Sequence, residues 1–525
     1  MSRFHSVLTA GAAALSLLLA AQANAYTLKV GITSNPASLS PAKITGGTWE
    51  EDVLRDIYAG LVDVSADGKV VPGVAERWEV SEDGLTWTFY LRDSKWSDGT
   101  PVTADDFAFS LRYFVTPQNA ATGVERLYPI VNAEDIARGK ASPDTLGVES
   151  KDEGRTLVIH LRERTPYFAK MLVLYPFYPM PHTLVEKLGD RWSQPDNIVT
   201  NGAFKPASWT INTELATVKN PYYYDAEHVA LDGVNFYPTE DRNAGVTRLR
   251  AGGLDVLRDF PASRLNELKG IIPDSVHVTP RLGTYYYTLN LRDGQPTADR
   301  RVREALSLAI QRELITDKLL NNSVQPAYAL VPPGTSDYTN QPLTELKNDP
   351  QKRLERAKAL LAEAGYSASK PLTLKLTYNS NPEHKRIAVA IAAMWKQIGV
   401  NTSIENAEAN VHYSNMRRGQ FQVGRAAWLS SYDDAQNFLQ LTYTEGNNYG
   451  NYQSPRFREL YEASNRAQTQ KERRDLMEKA EKQLSDDIVL IPIYYYAALN
   501  LVNPSLKGWQ DNAIDVHPSR WISHP

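Results

Sequence analysis

Residues 75–112 read AERWEVSEDGLTWTFYLRDSKWSDGTPVTADDFAFSLR. Glu82-Asp83-Gly84 is a turn, and residues 87–91 (Trp-Thr-Phe-Tyr-Leu) follow it as a strand. Asp98-Gly99-Thr100-Pro101 is a second turn. Thr103 then caps a helix, with Asp106 three residues on and Phe107, Leu111 and Phe114 on one face. Adjacent acids such as Asp105 and Asp106 point apart on a helix, and they suit turns and caps better than paired catalysis.

The same mixture extends in both directions. Strands are expected at 26–32, 156–161, 286–291, 372–377, 402–406 and 489–495. Helices are expected at 301–320, 352–364, 384–398, 457–467 and 471–486, with Gly365 ending the second of these. The strand–helix–strand run from 372 to 406 argues for a parallel α/β unit. No low-complexity linker and no repeat of 20–50 residues is present. The domains are therefore discontinuous and joined by short crossovers. A chain of 525 residues, 42% hydrophobic and 22% charged, has material for several of them.

Arg3 and His5 precede an apolar run over residues 7–21, and Ala23-Asn24-Ala25 is a small-x-small cleavage pattern. This reads as a secretory signal peptide, residues 1–25, with the mature chain beginning near Tyr26. The run is shorter than the ~20 apolar residues of a membrane span. There is no cysteine, which excludes a lipidated Cys, thiol catalysis, Cys-ligated metal and disulfides. A secreted, cysteine-free chain of this size suits a bacterial periplasm. The net charge of −4 gives no electrostatic reason to expect nucleic acid or anionic lipid.

Residues 75–112 resemble the signature region of extracytoplasmic solute-binding protein family 5, the oligopeptide-, dipeptide- and nickel-binding proteins of ABC importers. The similarity continues in order through IVTNGAF (198–204), NPYYYD (220–225), TYYY (284–287), RVREAL (301–306), AKALLAEAG (357–365) and PIYYY (492–496). It is strongest to the oligopeptide and murein-tripeptide branch. The resemblance implies an α/β, two-lobe periplasmic binding protein fold of the cluster C type with three domains. Domain I would be discontinuous (26–58, 182–282 and 499–525), domain II inserted (59–181), and domain III continuous (283–498). The ligand would be enclosed in the cleft by hinge closure. The implied partners are a peptide or peptide conjugate and the ABC permease and ATPase subunits, with the chain itself a monomer and without cofactor.

In the peptide branch the ligand lies extended and adds as a strand, so its main chain gives the affinity. By position, Thr45, Gly46 and Gly47 flank it on one side and Ala427, Trp428 and Leu429 on the other. Glycines at 46 and 47 let another backbone come close. In that branch an aspartate after the R-A-x-W tryptophan receives the ligand's ammonium, but Arg425-Ala426-Ala427-Trp428-Leu429-Ser430-Ser431 places the neutral Ser431 there. A charge-assisted bond worth ~1.5–3 kcal/mol is thereby missing. Asp433 and Asp434, two and three residues on, are candidates to replace it. At the carboxylate end Arg425 and His384 match the branch's cations. Its lysine and second arginine fall on Ser307 and Met416, with Arg417 and Arg418 adjacent to the latter. Its disulfide positions fall on Gly283 and Leu429.

At most one residue of each tyrosine triplet reaches ligand, because neighbours along a strand face opposite ways. Tyr286 and Tyr495 stand as the candidates. Arg425 and His384 also admit structural roles, an internal ion pair and a helix cap. No nucleophile elbow, His-Glu-x-x-His or phosphate loop occurs, and no histidine pair at i,i+4 suggests metal. The expectation is a binding protein with no catalytic residues. A periplasmic receptor or scavenger, or binding of an oligosaccharide or metal complex on the same fold, is the alternative.

Overall fold

The computed structural model describes residues 26–343, 349–444 and 446–525. Residues 1–25, and with them the signal-peptide reading, lie outside the described residues. Two long antiparallel strands, Val276–Leu289 and Leu490–Val502, run through the middle of the molecule. On one side of the pair the sheet continues through Val256–Arg258, Thr27–Ile32, Gly233–Pro238, Glu214–Lys219 and Phe204–Thr210. On the other it continues through Val423–Leu429, Leu372–Asn379 and Val400–Ala407. Both halves of the protein thus hang on one strand pair.

The register of that pair shifts twice near its centre, once between Pro280 and Thr284 and once between Tyr285 and Tyr286. Pro280 faces Ala497 and Thr284 faces Tyr495, so Arg281, Leu282 and Gly283 stand opposite the single residue Tyr496. Such a bulge bends and twists the ladder locally. A second sheet, ordered Ala75–Val80, Thr86–Leu91, Thr156–His160 and Val148–Lys151, is built by the segment inserted after the first strand and helix. The helix Ala104–Val115 packs on it. Thr103 caps that helix, and its capping partner Asp106 also takes Trp96 Nε1 at 3.3 Å and His182 Nδ1 at 2.7 Å.

The parallel unit expected at 372–406 is present. Leu372–Asn379 pairs in parallel with Val400–Ala407 across the helix Pro382–Lys396. Its apolar face, Trp395 included, packs with Tyr285 and Tyr494 in one of three buried clusters. The helix expected over 301–320 differs: it runs only from Arg300 to Ala309, and Ile310 is extended. Arg312 is fully buried beyond the break. Its guanidinium takes the carbonyls of Ser307, Ile310 and Pro492 at 3.3, 3.5 and 2.7 Å. Burying that charge without acceptors costs more than interrupting a helix. The strand expected at 286–291 begins ten residues earlier, at Val276, and ends at Leu289.

Glu481, fully buried on the helix Gln470–Asp486, accepts Val331 N at 2.7 Å and the Tyr338 hydroxyl. Burial raises its pKa from 4.5 to about 7. The folded state therefore holds a proton that the unfolded chain releases earlier. The resulting stability is present below the unfolded value and is lost as pH rises through 7. Urea unfolding of the wild type and Glu481→Gln across pH 4.5–8 is expected to show the wild type losing about 3 kcal/mol relative to the variant. Parallel curves would exclude the raised carboxyl.

Candidate ligand-binding cleft

The strand Val423–Leu429 pairs along its whole length with Val276–Leu289, from Val423 opposite Leu289 to Leu429 opposite Gly283. On its other side Leu372–Asn379 contributes only two pairs, at Val423 and Gly424. Ser430 N donates to Leu282 O at 2.7 Å. Alternation of the antiparallel ladder then turns the N–H and C=O groups of residues 425, 427 and 429 outward. The outward carbonyl of Arg425 accepts His412 Nε2 at 2.8 Å. Ala427 and Leu429 make no such bond among the described residues. A short free strand edge therefore remains, and Trp428 and Leu429 on it line a cavity of ≈ 830 Å³ between the two halves.

A smaller space of ≈ 380 Å³ adjoins it, sharing Leu429, Arg281, Thr48, Asp52 and Asp515. Tyr496 lines this second space and ties it to a buried cation. Arg425 Nη2 donates to Tyr496 Oη at 2.9 Å, and its Nη1 donates to Asn379 Oδ1 at 3.0 Å and Tyr413 Oη at 3.2 Å. The guanidinium lies 4.4 Å from the centre of the Tyr285 ring. No carboxylate of the described residues comes within 4.0 Å of it. His384 stands beside it, edge-on to Tyr285 at 5.5 Å, with its Nδ1 buried and without partner. Burial first, then the charge of Arg425, pushes the His384 pKa down to about 3. The imidazole is neutral at physiological pH, and the Arg425 guanidinium makes no direct ion pair among the described residues, although the carboxylate of Glu383 acts on it from farther off.

At the other end of the edge, Ser431 lines the large cavity and its hydroxyl makes no hydrogen bond among the described residues. Neither following acid takes its place. Asp433 turns away and accepts Ser336 N at 2.8 Å and Ser336 Oγ at 2.5 Å. Asp434 is buried in a two-point pair with Arg473 at 2.7 and 2.9 Å, with Lys170 at 3.4 Å. Burial opposes ionisation of Asp434, but Arg473 and Lys170 hold its pKa below the ordinary carboxylate value. Here the halves already touch: Tyr167 stacks on Tyr432 at 5.7 Å, and Lys170 Nζ donates to Asp433 O at 2.5 Å.

The facing segment is placed differently from a second free edge. The N–H groups of Thr45, Gly46 and Gly47 all donate to Glu50 Oε2, at 2.8, 3.0 and 3.1 Å. Gly46 has φ +88 and lines the large cavity. Thr45 and Gly47 line neither space: their N–H groups are spent within the loop, and the Gly47 carbonyl accepts Glu50 N and Glu51 N at 3.0 and 3.1 Å. Six arginines and six carboxylates share the cavity wall with Trp428 and several tyrosines. Such a charge load does not suit an apolar sugar platform.

A family model described as bacterial extracellular solute-binding proteins, family 5 middle, matches residues 69–450. The chain belongs to that family. The periplasmic oligopeptide-binding protein OppA of Salmonella typhimurium is 40% identical over 493 residues, 93% of this chain and 90% of OppA. The periplasmic murein peptide-binding protein MppA of Escherichia coli is 38% identical over 495 residues, 93% of this chain and 91% of MppA. The unliganded open form of MppA matches with a TM-score of 0.83 at 37% identity, covering 95% of this chain and 98% of that one. The two-lobe α/β fold is therefore that of family 5.

Within this family 5 protein the residues singled out from sequence separate into groups. Gly46, Trp428, Leu429 and Ser431 line the large cavity. Arg425 and the neutral His384 are buried behind Tyr496 and line neither space, and Ala427 lies on the free edge without lining either. Tyr286 is buried on the opposite face of its strand from Tyr285 and Tyr287, and it lines neither space. Tyr495 is held by Ala329 N and O at 3.2 and 3.1 Å, and its neighbour Tyr496 faces the cleft. Arg417 is exposed at the end of the helix Ala409–Arg417 and lines neither space. Sequence reasoning missed Tyr496, Arg126 and Arg281. Only the register shift that moves Tyr496 to the cleft side would have found the first.

A histidine-selective NMR titration separates the buried ring from exposed ones. The His384 signals are expected to stay constant from pH 8 to 5, while those of exposed His228, raised by its bond to Asp225, move above pH 6.5. A His384 transition near pH 6 would show that its ring is hydrated.

Proposed function

We propose that this chain is the periplasmic ligand-capture subunit of an ABC importer, taking an extended peptide or peptide conjugate whose amino end is not a free ammonium. The observation that carries this is the open edge at Ala427 and Leu429, set between a neutral Ser431 and a cationic Arg425. An extended ligand added there gains main-chain hydrogen bonds without its side chains being read. Its carboxylate reaches toward Arg425 and His384, and its amino end lies by Ser431. The relatives named oligopeptide- and murein peptide-binding support the ligand class. The parting of the wall residues between the two halves supports capture by closure.

On this reading the division into residues 26–58, 182–282 and 499–525, with 59–181 inserted and 283–498 as the second lobe, places the hinge at the bulge of Arg281–Gly283. The chain acts as a monomer that performs no covalent chemistry. It is secreted with cleavage near Ala25, and it hands the ligand to permease and ATPase subunits.

Calorimetry with Ala-Ala-Ala and its N-acetyl form, paired with small-angle scattering, tests the reading. Binding of the acetylated peptide at least as tightly as the free one is expected, with compaction on binding. A clear preference for the free amine that Asp433→Asn abolishes would overturn the blocked-amine assignment. Absence of compaction with any peptide would overturn capture by closure. Ser431→Asp is expected to raise affinity for the free-amine tripeptide roughly 10- to 100-fold, the worth of one charge-assisted bond.

A further inference from the structure

The cavity wall that includes Ser431 holds, among the described residues, two unpaired carboxylates, Glu125 and Glu163, and beside them arginines with unfilled donor positions. Arg126 and Arg281 both line the large cavity, with side chains 24% and 17% exposed. Neither makes a side-chain hydrogen bond among the described residues. Arg126 lies over the Tyr175 ring at 5.0 Å, and its nearest carboxylate is Glu51 at 3.9 Å. Glu51 is shared with Arg55, also at 3.9 Å. Arg281 reaches Asp515 only at 3.7 Å. Asp515 is already claimed by Arg258 at 3.0 Å, by Asn500 at 2.9 Å and by His517 at 3.0 Å. The remaining inner acid, Asp52, pairs with the same Arg258 at 3.6 Å.

Committed pairs in this molecule are much closer: Arg473–Asp434 at 2.7 Å and Arg520–Asp63 at 3.0 Å. The cavity wall as a whole carries six guanidinium groups and six carboxylates, so what sets Arg126 and Arg281 apart is their unfilled donors and not a net charge. A planar guanidinium with idle donors is a carboxylate receptor in need of its anion.

We infer that Arg126 and Arg281 form an anion subsite at the amino end of the cleft, and that the natural ligand carries a carboxylate there. This rests on the strand-addition reading above and deepens it. The ligand is then acidic at both ends, with one carboxylate at Arg425 and His384 and the other at Arg126 and Arg281. Two sources supply the same chemistry: a dicarboxylic acyl group blocking the amine, or an acidic side chain on the first residue of a blocked peptide.

Calorimetry at one ionic strength with N-acetyl-Ala-Ala-Ala, N-succinyl-Ala-Ala-Ala and N-acetyl-Glu-Ala-Ala distinguishes them. At least tenfold tighter binding of the succinyl peptide than the acetyl peptide assigns the carboxylate to the acyl group. The same gain for the Glu peptide alone assigns it to the side chain. Either gain supports the subsite, provided the ratio collapses toward one in Arg126→Gln or Arg281→Gln. The wild-type ratios need no substitution, so a variant that fails to fold leaves the test intact. Equal affinities for all three peptides overturn this inference alone, and so does a gain that survives both substitutions. Binding of none of them overturns the strand-addition reading and this inference with it.

Discussion

Everything in this protein is organised by the backbone ladder between Val276–Leu289 and Leu490–Val502. Among the described residues it is the main-chain pairing that joins the two halves of the large sheet. The three-against-one bulge within it sets where the ladder bends, and it also sets which side chains meet the cleft. Arg281 sits in the bulge and Tyr496 opposite it, so the point that permits bending is also part of the wall that a ligand would touch. The free edge has a similar origin in geometry. Leu372–Asn379 pairs with Val400–Ala407 over eight residues but with Val423–Leu429 over only two. It diverges before Arg425, and His412 covers the one carbonyl nearest the divergence. Exposed strand edges are normally shielded; this one is shielded by lying at the bottom of a cleft.

Charge separates what holds the fold from what awaits a ligand. Asp434 is surrounded by donors and is committed to packing, even though it sits beside the cavity. Losing either partner of such a buried pair typically costs about 3–5 kcal/mol. Arg425 is as buried as Asp434 but is satisfied only by neutral oxygens and an aromatic face. Tyrosine hydroxyls and an asparagine can orient a guanidinium without neutralising it. The orientation is therefore fixed in advance, and the charge remains available.

Much of this was legible in the chain. The capped helix after Thr103, the parallel unit around Pro382–Lys396 and the opposed faces within Tyr285-Tyr286-Tyr287 follow from periodicity and caps alone. Other features were hidden for definite reasons. The first half of Val276–Leu289 contains Pro280, Arg281 and Gly283, which break the alternation that marks a strand. The end of the helix at Ala309 depends on Arg312 finding carbonyls from distant Pro492. Tyr495 and Tyr496 exchange roles because a bulge on the partner strand shifts the register, and nothing local to 492–496 records it. Asp433 turns outward because Ser336, nearly a hundred residues away, offers two donors. Arg126 and Arg281 look like any surface arginines until the carboxylates near them are found to be engaged elsewhere.

Gly283 and Leu429 face each other across the ladder as a pair that exchanges no hydrogen bonds, the arrangement in which side chains approach most closely. An atom added at the Cβ position of Gly283 would lie 2.5 Å from Leu429 Cδ2. One large residue thus fills the space of two, and the strands are locked by shape where a covalent staple is implied elsewhere in the branch. The junction beside the cleft is therefore indifferent to thiols and oxidants around it. The pair keeps its alignment equally in an oxidising or a reducing surrounding, and the chain reaches its native form without waiting for a bridge to close.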